Sequence, residues 1–460
     1  MAGILLIVIT LGLLIYLAWR GVSLLILAPL LAVIAAGISG LPMLGSYTQI
    51  FMVSMGRFVV AYFPLFLLGA LFGKLMEFSG AARSIGYWTV NRLGERHAIL
   101  AIVVCCAVLT YGGVSLFVVA FAVFPIARAL FKAADIPARL IPGAIALGAF
   151  TFTMTALPGT PAIQNAIPMP YFGTTAFAAP WLGLVASLIM MAVGYVWLKR
   201  RAAVAHRHQE GFADSLAAEE TVQESEEEGL RPPLWKALAP IIVVLAANLV
   251  LSKLILPGRD YAWLATPAWG AARPEDVIGV WSIIASLFLA CLTVIVLNLR
   301  HLRSLGASLG PGAQDAMLPI FNTASLVGFG AVMAALPAFA VLREMILSMA
   351  PGNPLISLSV SINLLAGITG SASGGMSIAL ETLGARYMEL GQAAGIAPEV
   401  LHRVTAVATG GLDALPHNGA VVTLLAICGM THGKSYLDIF VVAVAGPVLA
   451  LSVIVAMASL

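Results

Sequence analysis

Gly112-Gly113-Val114-Ser115 is followed by Ala133-Ala134-Asp135-Ile136 and then by Ala156-Leu157-Pro158-Gly159-Thr160. Far downstream, Gly374-Gly375-Met376-Ser377 is followed by Ala393-Ala394-Gly395-Ile396 and then by Ala414-Leu415-Pro416-His417-Asn418. The order is the same and the spacing nearly so: positions 112 to 158 span 46 residues, and 374 to 416 span 42. Both sets lie in long apolar sequence. Two halves with glycine and proline breaks at corresponding points of membrane helices are the sequence pattern of a secondary transporter.

Composition points the same way. Of 460 residues, 61% are hydrophobic and 10% charged, against about 25% charged in an ordinary soluble domain. Apolar runs such as 3–19, 22–39, 237–254 and 439–458 approach the ~20 residues that cross a bilayer core as a helix. A bilayer is therefore the expected surrounding, and a bacterial cytoplasmic (inner) membrane the expected location. The net charge of +3 belongs mostly to loops and does not point to nucleic acid. The first run is read as a retained helix, since no basic residue precedes it and the next apolar run follows directly. Cys105, Cys106, Cys291 and Cys428 sit inside apolar runs without zinc-site spacing and read as small buried side chains.

The expected organisation is a first helix at 1–20 outside the repeat, a first repeat at 21–198, a charged linker at 199–236 and a second repeat at 237–460. The fold class is all-α and polytopic, with about 11–12 transmembrane helices. The linker opens on Lys199-Arg200-Arg201 and carries Glu210, Asp214, Glu219, Glu220, Glu224, Glu226, Glu227 and Glu228. Its basic start places it in the cytoplasm. Arg83, Arg92, Arg96, Arg300 and Arg303 compete for the same side, so the orientation of the first half stays open.

Irregular backbone at membrane depth survives only where protein or a water-filled cavity satisfies its N–H and C=O groups. Gly112–Ser115 and Gly374–Ser377 are accordingly expected as hairpin turns, the other reading being close helix packing through small residues. Pro158 and Pro416 each break an apolar run and lead into small or polar residues: Gly159, Thr160, Gln164 and Asn165 in one half, His417 and Asn418 in the other. A broken helix presents free N–H groups and a positive dipole end, which hold an anion at mid-membrane. The expected substrate contacts are Gly112, Gly113, Ser115, Thr155, Gly159, Thr160, Gln164, Asn165, Gly374, Gly375, Ser377 and Asn418. Arg128, Lys132, Arg139, Arg386 and Arg403 read as residues at span ends. Asp413 aligns with Thr155, so only the second half offers an ionisable group there. An intramembrane carboxyl is a functional residue by default, and Asp413 is the expected proton carrier, with His417 four residues on as its partner. Lys74 and Glu77 read as a local ion pair. The run from Gly429 to Ser435 falls one residue short of a phosphate-binding loop and has no strand before it. No nucleophile–base pair and no metal-ligand cluster stands out, which argues against an enzyme.

The stretch Leu109-Thr110-Tyr111-Gly112-Gly113-Val114-Ser115-Leu116-Phe117-Val118-Val119 resembles the gluconate permease (GntP) family of proton symporters. So do the run from Arg139 to Met154, the run from Ala156 to Pro161, and Gln164-Asn165. The likeness is greatest to the D-beta-hydroxybutyrate permease branch and covers nearly the whole chain, the linker excepted. The resemblance implies a carrier of small hydroxycarboxylates coupled to protons, within the wider ion transporter superfamily. It implies two inverted repeats whose re-entrant hairpins and unwound helices enclose the substrate, and by superfamily analogy a homodimer. No cofactor is expected beyond the coupling ion, a proton or alternatively sodium. The alternatives are a sodium-coupled dicarboxylate or citrate carrier and a membrane enzyme or assembly subunit without a transport cycle.

Overall fold

The architecture comes from a computed structural model that describes residues 2–20, 22–215, 232–299, 302–347, 349, 352–416 and 418–460. His417, Arg300 and the linker acids Glu219, Glu220, Glu224, Glu226, Glu227 and Glu228 lie outside the described residues. Among the described residues all regular structure is helical. The first half runs α1 (Ala2–Trp19), α2 (Leu24–Ile38), α3 (Met43–Phe78), α4 (Ala81–Leu93), α5 (Ala98–Tyr111), α6 (Leu116–Ala133) and α7 (Ala138–Thr155). Two short helices, Ile163–Ala166 and Pro168–Phe172, lead into α8 (Pro180–Arg207). The second half runs α9 (Leu234–Ile255), α10 (Pro274–Leu297), α11 (Leu302–Ala335), α12 (Phe339–Leu347), α13 (Pro354–Thr369), α14 (Ala372–Ala393), α15 (Pro398–Leu412), α16 (Gly419–Ile427) and α17 (His432–Ala458). Eight described helices are long and apolar enough to cross a membrane, with a ninth if α4 and α5, bent by 104°, count as one span. Three shorter apolar helices add to these.

The two halves pack on each other reciprocally. The central contact pairs α3 with α11, and a second pairs α8 with α17. Helix α2 packs on α11 while α10 packs on α3; α4 packs on α9 while α12 packs on α1. Helix α6 meets α16 while the short helices meet α14. Such exchange of partners is what a two-fold relation between halves produces. Helix α1, read from the sequence as standing outside the repeat, packs on α2, α12 and α13.

Apolar residues surround many helices on all sides, so lipid-facing side chains such as Val60, Leu188, Ile242 and Leu254 stay exposed. Contact between helices depends instead on small residues. A side-chain carbon on Gly148 would come within 2.5 Å of the Val103 carbonyl, and one on Gly328 within 2.8 Å of the Phe51 carbonyl. All four cysteines are buried and unbridged. Lys74 reaches Glu77 at 3.3 Å, as its spacing predicts, and also Asp315 of α11 at 3.5 Å.

The hairpin turns differ from expectation in one half. Gly112 ends α5, and Gly113 makes the turn with φ +96° before α6 begins after Ser115. In the second half the turn is made by Gly370, with φ +59°, and Ser371. Gly374, Gly375 and Ser377 are buried inside the first turns of α14 rather than in a turn. Gly375 is there because a side chain would strike the backbone of Ala366 on α13. The structural partner of Gly112 is thus Gly370, not Gly374, and the spacing agrees: 370 to 416 is 46 residues, as is 112 to 158. Asp135 and Gly395, both with positive φ, make matching turns further along each half. Helix α7 is also less regular than the apolar run suggests. It breaks at Phe150 and Thr151, where Thr151 takes φ −114° and ψ −117°.

Candidate functional site

The breaks after α7 and α15 enclose a cavity with the starts of the hairpin helices. Its walls include Leu116, Thr155, Gln164, Ala372, Asp413 and Asn418. The empty space, its open mouth included, is about 340 Å³. Thus Thr155, Gln164, Asp413 and Asn418, four of the residues expected at the site, come together from distant positions. Gly112, Gly113, Ser115, Gly159, Thr160, Asn165, Gly374, Gly375 and Ser377 do not line the cavity.

Three helix starts face this space, at Leu116 of α6, Ala372 of α14 and Ala420 of α16. The first N–H groups of a helix have no partner within it. In α14, Ser371 Oγ accepts from Gly374 N at 3.1 Å. In α16, Asn418 Oδ1 accepts from Ala420 N at 2.6 Å and Val421 N at 3.1 Å, while its Nδ2 donates to the Gly370 carbonyl at 2.8 Å. In α6, Ser115 makes no capping bond. Beside it, Gln164 is 9% exposed, and its Oε1 is buried without a hydrogen-bond partner. An uncapped helix start and an unpartnered amide are what a bound anion with a hydroxyl group would satisfy.

Behind this wall lies the residue that sequence reasoning misplaced. Arg403, in the second turn of α15, is 0% exposed, buried within the protein and not wetted at an interface. Its Nε and Nη2 donate to the Ala178 carbonyl at 3.1 and 2.9 Å, and Nη2 also to the Ala176 carbonyl at 3.2 Å. Its Nη1 donates to the Thr155 carbonyl at 3.2 Å and to Asn165 Oδ1 at 3.1 Å. Every partner is neutral. The irregular chain around Pro158 therefore turns its carbonyls inward onto a cation, which satisfies backbone that would otherwise be orphaned in the membrane.

Neighbouring residues complete the lock. Asn165 Nδ2 donates to the Thr160 and Ala176 carbonyls, both at 3.0 Å. His402 Nε2 lies 3.1 Å from Asn165 Oδ1 and Nδ1 lies 2.5 Å from Thr174 Oγ1, an arrangement that fits a neutral imidazole donating through Nε2 and accepting from the hydroxyl. Gly159, at φ +84°, donates to the Ala176 carbonyl at 2.8 Å and accepts from Asn248 Nδ2 at 3.1 Å. Ser282 Oγ in turn donates to Asn248 Oδ1 at 3.0 Å. Tyr111 donates to the Pro158 carbonyl at 2.7 Å. Thr160 and Asn165 are thus used within the protein. Their polar character was legible in the sequence; Arg403, His402, Thr174 and Asn248 were missed. The available signal was position: Arg403 lies seven residues after Ile396, whereas Arg139 lies three after Ile136, about one helical turn deeper.

A second charged cluster ties the start of the linker to the end of the chain. Asp438, 0% exposed, accepts from Trp197 Nε1 at 2.9 Å and Arg201 Nε at 3.0 Å, and pairs with Arg139 at 3.5 Å. Arg139 also binds Glu210 through Nε at 2.5 Å and Nη2 at 2.9 Å. The Arg139 guanidinium hydrogen-bonded to Glu210 holds that carboxyl below the usual range. Phe212 N donates to Asp135 at 3.0 Å.

Comparison with known proteins shows the family and the fold. Residues 2–412 match the model of the GntP family permeases. An uncharacterized transporter of Bacillus subtilis (strain 168), YxjC, is 44% identical over 450 residues, covering 95% of each chain. Among solved structures, the YdaH transporter of Alcanivorax borkumensis, described as having an unusual topology, superposes with a TM-score of 0.56 at 16% identity over 88% of each chain. That likeness concerns the fold alone.

Proposed function

Since the chain belongs to the GntP family of permeases, a multi-pass membrane transporter and not an enzyme, we propose that it carries a small hydroxycarboxylate in symport with a proton. The acid is of the 3-hydroxybutyrate or gluconate kind, in keeping with the branch its motifs resemble. The two halves act as inverted repeats of the ion transporter superfamily type, and the protein works as a homodimer in the inner membrane.

The observation that carries this reading is the contrast among the three helix starts at the cavity. Two are capped by their own side chains; α6 is not, and Gln164 beside it has an unused amide oxygen. The substrate carboxylate takes the N–H groups of the first turn of α6, where the helix dipole favours negative charge. Its hydroxyl donates to Gln164. Asp413, on the opposite break, carries the coupling proton as the cavity opens alternately to each side. His417 stands four residues on as its partner. The other residues named at the breaks and hairpins act by shaping this backbone.

The test is uptake of labelled 3-hydroxybutyrate, gluconate, succinate and citrate into proteoliposomes under imposed proton or sodium gradients. Accumulation of a hydroxymonocarboxylate driven by an inward proton gradient is the expected result. Accumulation of succinate or citrate on a sodium gradient alone would replace this reading with a sodium-coupled carrier.

A further inference from the structure

Two charged side chains at the breaks, buried Arg403 and half-buried Asp413, bear on the stoichiometry of transport. Arg403 carries a permanent positive charge, because a guanidinium does not deprotonate in a protein. Its hydrogen-bond partners are four backbone carbonyl contacts and one amide, with no carboxylate among them. One residue links it to the cavity: Thr155, whose carbonyl it holds and which lines the wall together with Asp413. Among the described residues, the other titratable groups bonded at the two breaks do not add charge to this interior. His402 is bound as a neutral ring between Asn165 and Thr174. Tyr111 donates to the Pro158 carbonyl and Tyr436 to the Ala414 carbonyl. His432, bound to the Pro416 carbonyl, and Glu381, which accepts from Tyr171, are exposed and not part of this buried interior. Arg139, Arg201, Glu210 and Asp438 compensate one another in the separate cluster beside the linker.

A membrane interior strongly disfavours an uncompensated charge. We infer that Arg403 and Asp413 form a charge-balancing pair that makes transport electroneutral, one monoanionic acid moving with one monovalent cation. The inference rests on the substrate class and the role of Asp413 proposed above. In the empty carrier, Arg403 and ionised Asp413 sum to zero. In the loaded carrier a proton from the outer water sits on the Asp413 carboxylate, and the substrate carboxylate, still ionised, sits at the start of α6 and offsets Arg403; the sum is again zero. Release of both on the inner side restores the first state. Sodium on Asp413 would give the same sum, so the inference does not depend on which cation is coupled.

The full chain in proteoliposomes tests this. Uptake of labelled 3-hydroxybutyrate or gluconate, whichever is carried, is measured at equal pH and sodium on both sides, with valinomycin and potassium gradients setting the membrane potential. The wild type should take up the acid at the same rate at inside-positive, zero and inside-negative potential. Asp413→Asn removes one charge from the empty carrier only. Its transport should become a uniport of the anion, with accumulation rising about tenfold per 59 mV of inside-positive potential, or about 50-fold at 100 mV. Arg403→Lys, which keeps the charge, should remain indifferent to potential whatever its rate. Wild-type uptake that follows potential would overturn the inference even if a proton gradient drives accumulation. Potential-independent uptake driven by sodium and not by protons would uphold it while removing the proton reading. An Asp413→Asn carrier still indifferent to potential would show that Asp413 is not the balancing charge.

Discussion

The break after α7 and the break after α15 occupy equivalent places in the two halves and are held in opposite ways. The first is bound from several sides, by Arg403, Asn165, His402, Asn248 and Tyr111, each on a carbonyl or amide of the irregular chain. The second is tied through Asn418 to Gly370 and through Tyr436 and His432 to single carbonyls. One half supplies a locked wall; the other supplies the ionisable group on a lightly tied segment. The two breaks thus differ in how the protein holds them. The donor that locks the first break comes from the second half, so the two breaks are coupled through α15, which carries Arg403 near its start and leads into Asp413.

The largest effect expected from this comparison is at Arg403. Arg403→Leu takes the donor from the Thr155 and Ala178 carbonyls, at about 1–3 kcal/mol each. Folded yield and uptake should both collapse. Asn418→Ala removes a cap and one tie, at about 1–2 kcal/mol, and should leave a folded carrier. Melting of the two variants in detergent checks the contrast, and equal losses would show that the breaks are held alike.

The hairpins come next. Gly375→Ala places a methyl against the α13 backbone, where neither helix can yield easily, and should cost about 1–3 kcal/mol. Gly113→Ala meets Pro161 at 2.9 Å and forces an alanine to φ +96°, at about 1–2 kcal/mol. Gly370→Ala should behave like Gly113→Ala, since both make the turn, and Gly374→Ala should not rescue that strain. Thermal melting of the four variants tests which glycines are true counterparts.

The smallest effect belongs to the linker clasp. Arg139 holds the Glu210 carboxyl below its usual range. A depressed folded value means the contribution is present above the unfolded carboxyl range near 4.3 and is lost as pH falls through the folded value. Glu210→Gln should therefore melt slightly below the wild type at pH 7, by about 1 kcal/mol or less, and the difference should close as the pH drops below about 4. A gap that persists at low pH would mean that Glu210 acts through packing.

Much of this was legible because it is local. Apolar runs specify helices at membrane depth, and Pro158 and Pro416 end them because proline removes a donor and clashes with the preceding turn. The repeated order of glycine, alanine and proline landmarks identified two related halves. Thr155, Gln164, Asp413 and Asn418 were marked as polar groups in apolar sequence, and they meet at one cavity. What the chain cannot show locally is why a glycine is there. Gly370 permits a left-handed turn and Gly375 a close helix contact, and in sequence the two look alike. Tertiary packing decided between them, because only the position of α13 makes a side chain at 375 impossible. It also decided the place of Arg403: the carbonyls that hold it come from residues 155–178, more than 200 positions away, and a buried cation is stable only where the fold brings such dipoles to it.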